Sequence, residues 1–153
     1  MVFSEKMRDS LGAEGAKIEV VAQGAAVAPG DVVGVTVVIV GGSKPAAVDA
    51  LVVRLVEAAR HWVDADGTTH AEQSVAADDR SGLTAGWTRT TVAELRVDVG
   101  VTVDPGARHS VDVSLAVPEA ALASTPACTH TISVQADIKG QIDPTGQARL
   151  NVA

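Results

Sequence analysis

The chain has 153 residues, a formal net charge of −7 and a hydrophobic fraction of 46% that is mostly valine and alanine. A chain of this length is typical of one domain and buries enough surface to fold without a disulfide or a structural metal. The acidic balance argues against nucleic acid and anionic membranes as partners, because both are bound through basic faces. The longest apolar run, Val32–Val40, is far shorter than a membrane span, so no transmembrane segment is expected.

The N-terminal residues predict a short amphipathic helix. Phe3, Met7 and Leu11 are spaced by four and therefore share one helical face, and two glycines then end the pattern. Charged side chains appear early and interrupt any apolar signal core, so a cytoplasmic location is expected. We divide the chain into an N-terminal segment over 1–15, which caps the domain or docks a partner, and a single domain over 16–153.

The next part of the chain predicts two strands and an ambiguous segment. Lys17–Gln23 and Val32–Val40 are rich in valine, whose branched side chain suits a pleated surface. Residues 47–64 fit the two-residue period of a strand, but their alanine, leucine and arginine content also suits a helix. We favour a strand, because the flanking elements are strands and the following Asp64–Gly67 is typical of a hairpin tip.

The hairpin tip also invites comparison with a calcium-binding loop. An EF-hand loop needs oxygen ligands at positions 1, 3 and 5 and a glycine at position 6. When Asp64 and Asp66 are counted as positions 1 and 3, the glycine falls at position 4 and Thr68 at position 5, so the pattern fails. We predict a plain turn, followed by a return strand near 69–75 and a loop over 78–82.

The clearest alternation lies within Leu95–Val117. Apolar and polar residues alternate up to Asp104-Pro105-Gly106, which is a turn signal, and then alternate again. Because a two-residue period places every second side chain on one face, we predict strands over 90–103 and 110–117. We expect these strands to pair as a hairpin with one buried face. The expected register places two valines inside and two charges outside, namely Val97 and Val113 against Arg96 and Asp112.

The C-terminal part completes an all-β pattern. Thr129–Ile138 alternates, and a turn precedes a last short strand over Ala148–Val152. Seven to nine strands separated by turns are typical of an immunoglobulin-like antiparallel β-sandwich. The first and last strands, Lys17–Gln23 and Ala148–Val152, carry few charges that would block edge pairing. A weak homodimer through a strand edge or through the N-terminal helix is therefore expected.

Two pairs of residues offer the chemistry of an enzyme or a metal site. Cys128 and His130 are two residues apart in a predicted strand, so they share a face, as a thiol nucleophile and its base would. His61 and His70 flank the hairpin tip and are placed to face each other, which favours metal binding. A small hydrolase or metal-binding protein is thus the alternative function. The simpler interpretation is a buried structural cysteine and surface histidines, and under it no cofactor and no metal are expected.

The sequence favours a non-enzymatic interaction module, because no catalytic motif stands out. Large apolar side chains dominate interface energetics. The candidate anchors are Phe3, Met7, Leu11, Trp62 and Trp87. An alternative for both tryptophans is that they fill gaps in the core. An extracellular adhesion-type sandwich is a third class, against which the single cysteine and the early charges argue.

The order of several segments resembles a known family. Ser10–Lys17 leads into the first strand, Pro29–Gly34 and Gly41-Gly42 bracket the second, and Ala136–Lys139 precedes Ile142-Asp143-Pro144. This ordered set is similar to the bacterial and archaeal sporulation-control family called SpoOM, whose members resemble one lobe of arrestin. The resemblance implies an arrestin-like β-sandwich and a regulatory, non-enzymatic role in sporulation or cell-cycle control through protein partners.

Overall fold

The computed structural model describes residues 15–24 and 26–153. The predicted N-terminal helix with Phe3, Met7 and Leu11 therefore lies outside the described residues. The described chain is all-β, with a single short 3-10 turn at Glu72–Ser74. Its strands are β1 (Lys17–Ala22), β2 (Val32–Val40), β3 (Ala46–Val63), β4 (Thr69–Ala71), β5 (Thr84–Val103), β6 (Arg108–Ala116), β7 (Cys128–Ile138) and β8 (Thr145–Leu150).

The strands form two antiparallel sheets. The first sheet has the order β1-β2-β6. In the second sheet, β3 is central: β5 pairs along one of its edges, while β7 and then β4 pair along the other, and β8 extends the sheet beyond β7. The ambiguous segment over 47–64 is therefore a strand, as predicted, and the turn after it leads into the pairing strand β4.

The core lies between the two sheets and is built from alternating residues of both. Val35, Val37 and Ile39 of β2 are fully buried, and so are the β7 residues Ile132 and Val134. These side chains belong to one hydrophobic cluster, which also contains the inward-facing valines and leucines of β3 and β6. The outer faces of both sheets are exposed to solvent. Buried and more exposed residues therefore alternate along β2, β6 and β7, as the sequence pattern does.

The predicted hairpin of β5 and β6 does not form. β6 pairs with β2 in the first sheet, whereas β5 pairs with β3 in the second. The turn at Asp104–Ala107 thus carries the chain between sheets, as Gly41–Pro45 does between β2 and β3. The two crossings touch: the Gly41 N–H donates to the Ala107 carbonyl at 2.8 Å, and the Gly106 N–H donates to the Gly41 carbonyl at 3.2 Å. The prediction is wrong because alternation indicates which face is buried and carries no information about the pairing strand.

The predicted faces of these two strands are nevertheless largely right. Val113 is buried, and Asp112 and Arg96 are exposed. Val97 is half-buried where full burial was expected, because β5 lies at a sheet edge. The expected strand over 148–152 is shifted to Thr145–Leu150.

The distal halves of β3 and β5 form an extension that we call the arm, comprising residues 56–63, 69–71 and 84–91. A shift in register between Leu55 and Val56 marks its start, as a β-bulge that bends a strand would. None of the residues 56–91 belongs to the hydrophobic core cluster. Two sequence expectations fail here: the return strand over 69–75 stops at Ala71, and the strand expected from 90 begins at Thr84. Neither face of the arm packs into the core cluster, so its strands lack the alternation that marks a buried face.

Candidate functional site

The pairing register sorts the arm residues onto two faces, because residues directly opposite each other in a sheet share a face. Arg60 lies opposite Trp87, Ala58 lies opposite Arg89, and Trp62 lies opposite His70. We call the resulting surface the Trp–Arg face. It comprises Arg60, Trp62, Arg80, Trp87 and Arg89.

Glu72 holds one half of the Trp–Arg face together. Its carboxylate accepts two hydrogen bonds from Arg60, at 2.6 and 2.8 Å, and one from Arg80 at 2.8 Å. The indole N–H of Trp62 donates to the same carboxylate at 2.6 Å. Hydrogen bonding from Arg60 is the main reason that the pKa of Glu72 falls to about 2, and the bond from Trp62 and the positive charges of both arginines add to it. The glutamate therefore stays ionised and fixes the two guanidinium groups.

The same two arginines pack on Trp62. The guanidinium carbon of Arg60 lies 5.1 Å from the ring centroid, and that of Arg80 lies 4.7 Å from it. Both distances suit cation–π attraction, which is strongest on a tryptophan face. The Nε of Arg80 is the one buried side-chain polar atom of the described chain without a hydrogen-bond partner. This half of the face therefore retains an unused donor.

The other half of the face is open. Trp87 is 48% exposed, an unusual state for a side chain of this size. Together with Ala58, Arg89 and Thr129 it lines a shallow cavity of about 280 Å³. Neither Trp87 nor Trp62 is part of the hydrophobic core cluster, so the alternative that both tryptophans fill core gaps is wrong.

The opposite face of β3 carries a second group of polar residues, at the point where the arm joins the rest of the second sheet. Glu57 lies opposite His130, and Ala59 lies opposite Cys128, in the pairing of β3 with β7. The loop before β7 adds Ser124. We call Glu57, Ser124, Cys128 and His130 the buried polar cluster.

His130 lies at the centre of the buried polar cluster and is fully buried. Its Nε2 is 2.9 Å from a carboxylate oxygen of Glu57, and its Nδ1 is 2.8 Å from the hydroxyl of Ser124. The Val152 N–H donates to that hydroxyl at 2.9 Å, and the Leu122 N–H donates to the Glu57 carboxylate at 3.2 Å. The expectation of surface histidines is therefore wrong for His130. The histidine occupies an inward position of β7, where its polar atoms are satisfied by partners.

Cys128 is buried and shares a face with His130, as predicted. Burial, followed by the negative charge of Glu57, raises the pKa of its thiol. A nucleophilic cysteine needs the opposite shift, because the thiolate is the reactive form. The arrangement therefore does not suit the small hydrolase that Cys128 and His130 would form.

His61 and His70 are not brought together. In the register of β3 and β4, His61 lies opposite Ala71 and His70 lies opposite Trp62, so the two histidines occupy opposite faces. Each has its own partner: His61 Nδ1 is 3.1 Å from the Thr88 hydroxyl, and His70 Nε2 is 2.9 Å from Asp64. The prediction of a metal site formed by this pair is therefore wrong. A shift of one residue in the pairing of β3 with β4 places the two side chains on opposite faces of the sheet.

Asp64–Gly67 forms a turn, as predicted. One carboxylate oxygen of Asp64 accepts the backbone N–H groups of Asp66 and Thr68, and the other contacts His70. These bonds, led by the one to His70, lower the pKa of Asp64. A carboxylate occupied in this way closes the tip of the hairpin.

Sequence reasoning missed Glu57, Glu72, Arg80 and Ser124. One signal was available for Glu57, which is a carboxylate on the strand face that carries the buried leucines nearby. Glu72 lies in a 3-10 turn, and Arg80 and Ser124 lie in two separate loops, where no periodicity indicates which way a side chain points.

These observations define the class of the protein: it is a two-sheet, all-β protein with an arm that lies outside the core. A family model described as SpoOM protein matches residues 4–153, so the chain belongs to this family and the resemblance seen in the sequence is confirmed. Among the described residues, we find no helix with the length and apolarity needed to cross a bilayer.

One solved structure shares the fold, and a second was also matched. The chain is similar to the crystal structure of Spo0M, sporulation control protein, from Bacillus subtilis, with 21% identity and a TM-score of 0.70 over 90% of this chain and 49% of that one. A DUF4466 family protein from Parabacteroides merdae is matched at 9% identity and a TM-score of 0.49, over 90% of this chain and 45% of that one. The chain thus spans about half the length of the solved structures it matches. No curated protein matches it.

Proposed function

We propose that this protein is a non-enzymatic regulatory module in sporulation or cell-cycle control, and that the Trp–Arg face binds an acidic, extended segment of a protein partner. Membership of the SpoOM family supports the regulatory role. The observation that carries the binding site is Trp87, half exposed beside Arg89 on an arm that adds nothing to the core cluster. Tryptophan and arginine are the residues most enriched in interface hot spots.

Charge favours an acidic partner. The face carries three arginines, of which Arg60 and Arg80 pair with its one carboxylate, Glu72, in a chain whose net charge is −7. The Arg89 side chain makes no ion pair or hydrogen bond within the described residues, whereas its backbone pairs with that of Ala58. A carboxylate-bearing segment supplies acceptors for the Arg89 guanidinium.

The strand edge favours an extended segment. Within the described chain, β5 pairs with β3 alone, so its outer edge carries unpaired backbone groups over 20 residues. A partner strand that adds to this edge would gain main-chain hydrogen bonds, while Trp87 and Arg89 would read its side chains.

The test uses a synthetic peptide of alternating glutamate and valine, titrated against the full chain and followed by tryptophan fluorescence. Trp87→Ala should weaken binding by about tenfold or more, as loss of a hot spot does. Arg89→Ala should weaken it and reduce its dependence on salt. Arg96→Ala is the matched control, because it removes the same charge from β5 outside the arm. Equal binding by all three variants would refute the site.

A second copy of the chain is the competing occupant of this edge. Sedimentation would then give a concentration-dependent dimer that Trp87→Ala disrupts, and the acidic-segment assignment would be wrong. Spore counts in the organism that carries the chain test the regulatory role separately. Trp87→Ala should fail to replace the natural chain there, and Arg96→Ala should replace it.

The remaining expectations belong to the same proposal. We infer a cytoplasmic location, an arrestin-like arrangement of one domain over 16–153, and a second docking element in the segment 1–15 with Phe3, Met7 and Leu11. The two packed sheets agree with such an arrangement. Deleting residues 1–15 should leave peptide binding at the Trp–Arg face unchanged.

A further inference from the structure

The buried polar cluster contains three kinds of metal ligand within a small space. One ligand atom from each of Glu57, Cys128 and His130 lies within 4.8 Å of the other two. Two adjacent strands supply them, since Glu57 and Ala59 of β3 lie opposite His130 and Cys128 of β7. We propose that Glu57, Cys128 and His130 form a binding site for a divalent transition metal, of which zinc fits best.

The donor set selects the metal. Thiolate and imidazole are ligands of zinc and similar ions, whereas calcium and magnesium prefer oxygen alone. A carboxylate, a thiolate and a neutral imidazole together carry two negative charges, which a divalent ion neutralises. Sites with three protein ligands keep a fourth position for water or another molecule, unlike closed structural zinc sites.

The geometry needs small adjustments. Metal–ligand bonds of about 2.0–2.3 Å in a tetrahedron place the ligand atoms roughly 3.3–3.7 Å apart. The Glu57 carboxylate and His130 Nε2 stand 2.9 Å apart and would open by a few tenths of an ångström. The thiol of Cys128 closes the remaining separation by rotation about its single side-chain torsion. Rigid neighbouring strands keep all three residues close without a loop closing over them.

Ser124 supports the histidine in either state. Without metal, the 2.9 Å contact is a hydrogen bond from His130 Nε2–H to Glu57, and Ser124 donates to Nδ1. With metal, Nε2 is a ligand, Nδ1–H donates to Ser124, and the serine hydroxyl turns to the Leu150 carbonyl, 3.4 Å away. Such a partner on the second ring nitrogen orients metal-ligating histidines in general.

A cavity open to solvent borders one side of the cluster, while His130 itself is fully buried. Ser124 and His130 border a cavity of about 400 Å³ that also meets Arg149 and Leu150. The Glu57 side chain remains 14% exposed. When the metal binds, the Cys128 thiol loses its proton to solvent. His130 stays neutral, but its proton is carried on Nδ1 instead of Nε2. The net change is one proton released for each metal bound.

Metal binding is measured on the full chain after treatment with a chelator. Zinc titration by calorimetry should give one equivalent and one released proton, the latter from the dependence of the heat on the buffer. Cobalt(II) should give the strong absorption of a thiolate–cobalt bond. Cys128→Ser should abolish this absorption, and His130→Gln and Glu57→Gln should each lower zinc affinity at least tenfold. Ser124→Ala should lower it by roughly 10–100-fold, as loss of an outer-shell partner does.

Two controls keep the result interpretable. His61→Gln and His70→Gln remove histidines outside the cluster and should leave zinc affinity unchanged. X-ray absorption of the zinc-loaded natural chain should report one sulfur ligand, and it requires no variant to fold. Absence of stoichiometric zinc binding, or a zinc site without sulfur, would overturn the proposal.

Discussion

We call the two sheets outside the arm the body. Strands β3 and β5 run through both the body and the arm, yet the two regions are stabilised differently. In β3, the first half is buried on one or both faces, with Leu51, Val53 and Leu55 fully buried, whereas every residue from Val56 to Val63 is half-buried. In the body, apolar burial is the main stabilising contribution. In the arm, hydrogen bonds, ion pairs and stacking around Glu72 replace it.

This difference separates stability from recognition. A buried leucine contributes through contacts that the chain makes with itself, so it offers nothing to a partner. The arm keeps a large aromatic side chain and an arginine in solvent, and it depends on the body for its position. We therefore expect mutations in the body to change the free energy of unfolding and mutations in the arm to change binding.

The largest expected effect is Leu55→Ala, at the last body position of β3. Removing a fully buried leucine should lower the free energy of unfolding by about 2–5 kcal/mol, through lost burial and the cavity left behind. Val63→Ala, at the half-buried end of the same strand, should cost less than about 1 kcal/mol. Urea unfolding of both variants checks the pair, and equal losses would break the distinction between body and arm.

Gly41→Ala tests the point where the two crossings touch. An added Cβ would lie 2.0 Å from the Asp104 carbonyl oxygen, and this is backbone that cannot turn away. We expect a loss of about 1–3 kcal/mol, as for overpacking. Gly34→Ala is the control, because its Cβ would meet the flexible end of Gln23, and it should be close to neutral. A harmless Gly41→Ala would indicate that the crossings can separate.

Glu72→Gln should loosen the arm while leaving the body intact. The neutral amide accepts hydrogen bonds from Arg60 and Arg80 more weakly, so Trp62 should lose its fixed packing. We expect a shifted tryptophan emission and faster amide exchange over the arm. Exchange in β2 and β7 should be unchanged. Protection lost throughout the chain would mean that the arm stabilises the body.

Acid should reproduce this loosening in the natural chain. The pKa of Glu72 is about 2 in the folded chain against an ordinary value of 4.5. A depressed carboxylate pKa contributes stability that is present above the unfolded value and is lost as the pH falls toward the folded value. The change in Trp62 emission should therefore develop between pH 4.5 and about 2 and be missing from Glu72→Gln. A midpoint near 4.5 in the folded chain would contradict the Arg60 contact.

The smallest expected effect is Asp98→Asn. Its side chain is 93% exposed on the outer face of β5 in the body. The free energy of unfolding should change by no more than roughly 0.5 kcal/mol, as for most surface substitutions. A larger change in the same urea experiment would mean that the exposed ion pair of Asp98 with Arg96, at 3.8 Å, contributes more than surface pairs usually do.

Strand positions and faces were predictable from the sequence, and strand partners were not. The alternation in β6 and β7 follows from one-sided burial, which the strands of the arm lack. Asp104-Pro105-Gly106 has the composition of a hairpin turn, but a short turn can also pass from one sheet to the other. The deciding contact is the bond from Gly41, more than sixty residues earlier in the chain, and no local pattern encodes it.

The candidate sites were predictable only in part, for a related reason. Trp62 and Trp87 were proposed as interface anchors because large apolar side chains dominate interface energetics. Cys128 and His130 were placed on one face by their spacing. Their partners, Glu57 and Ser124, depend on the register of β3 with β7 and on the path of a loop. A register error of one residue is also what separates the predicted His61–His70 pair from the observed opposite faces.

The touching crossings also constrain how the chain is made. β2 pairs with its neighbour in sequence, β1, but its other edge stays unpaired until β6 is synthesised, because Val35 lies opposite Val113. Val113 follows Val35 by 78 residues in the chain. At a synthesis rate of about 5–20 residues per second, these residues take roughly 4–16 s to emerge. During that interval the valine-rich β2 presents an open edge of the kind that seeds aggregation. In the cell, the chain is therefore most vulnerable before β6 leaves the ribosome, when a chaperone that covers β2 would increase the yield of folded protein most.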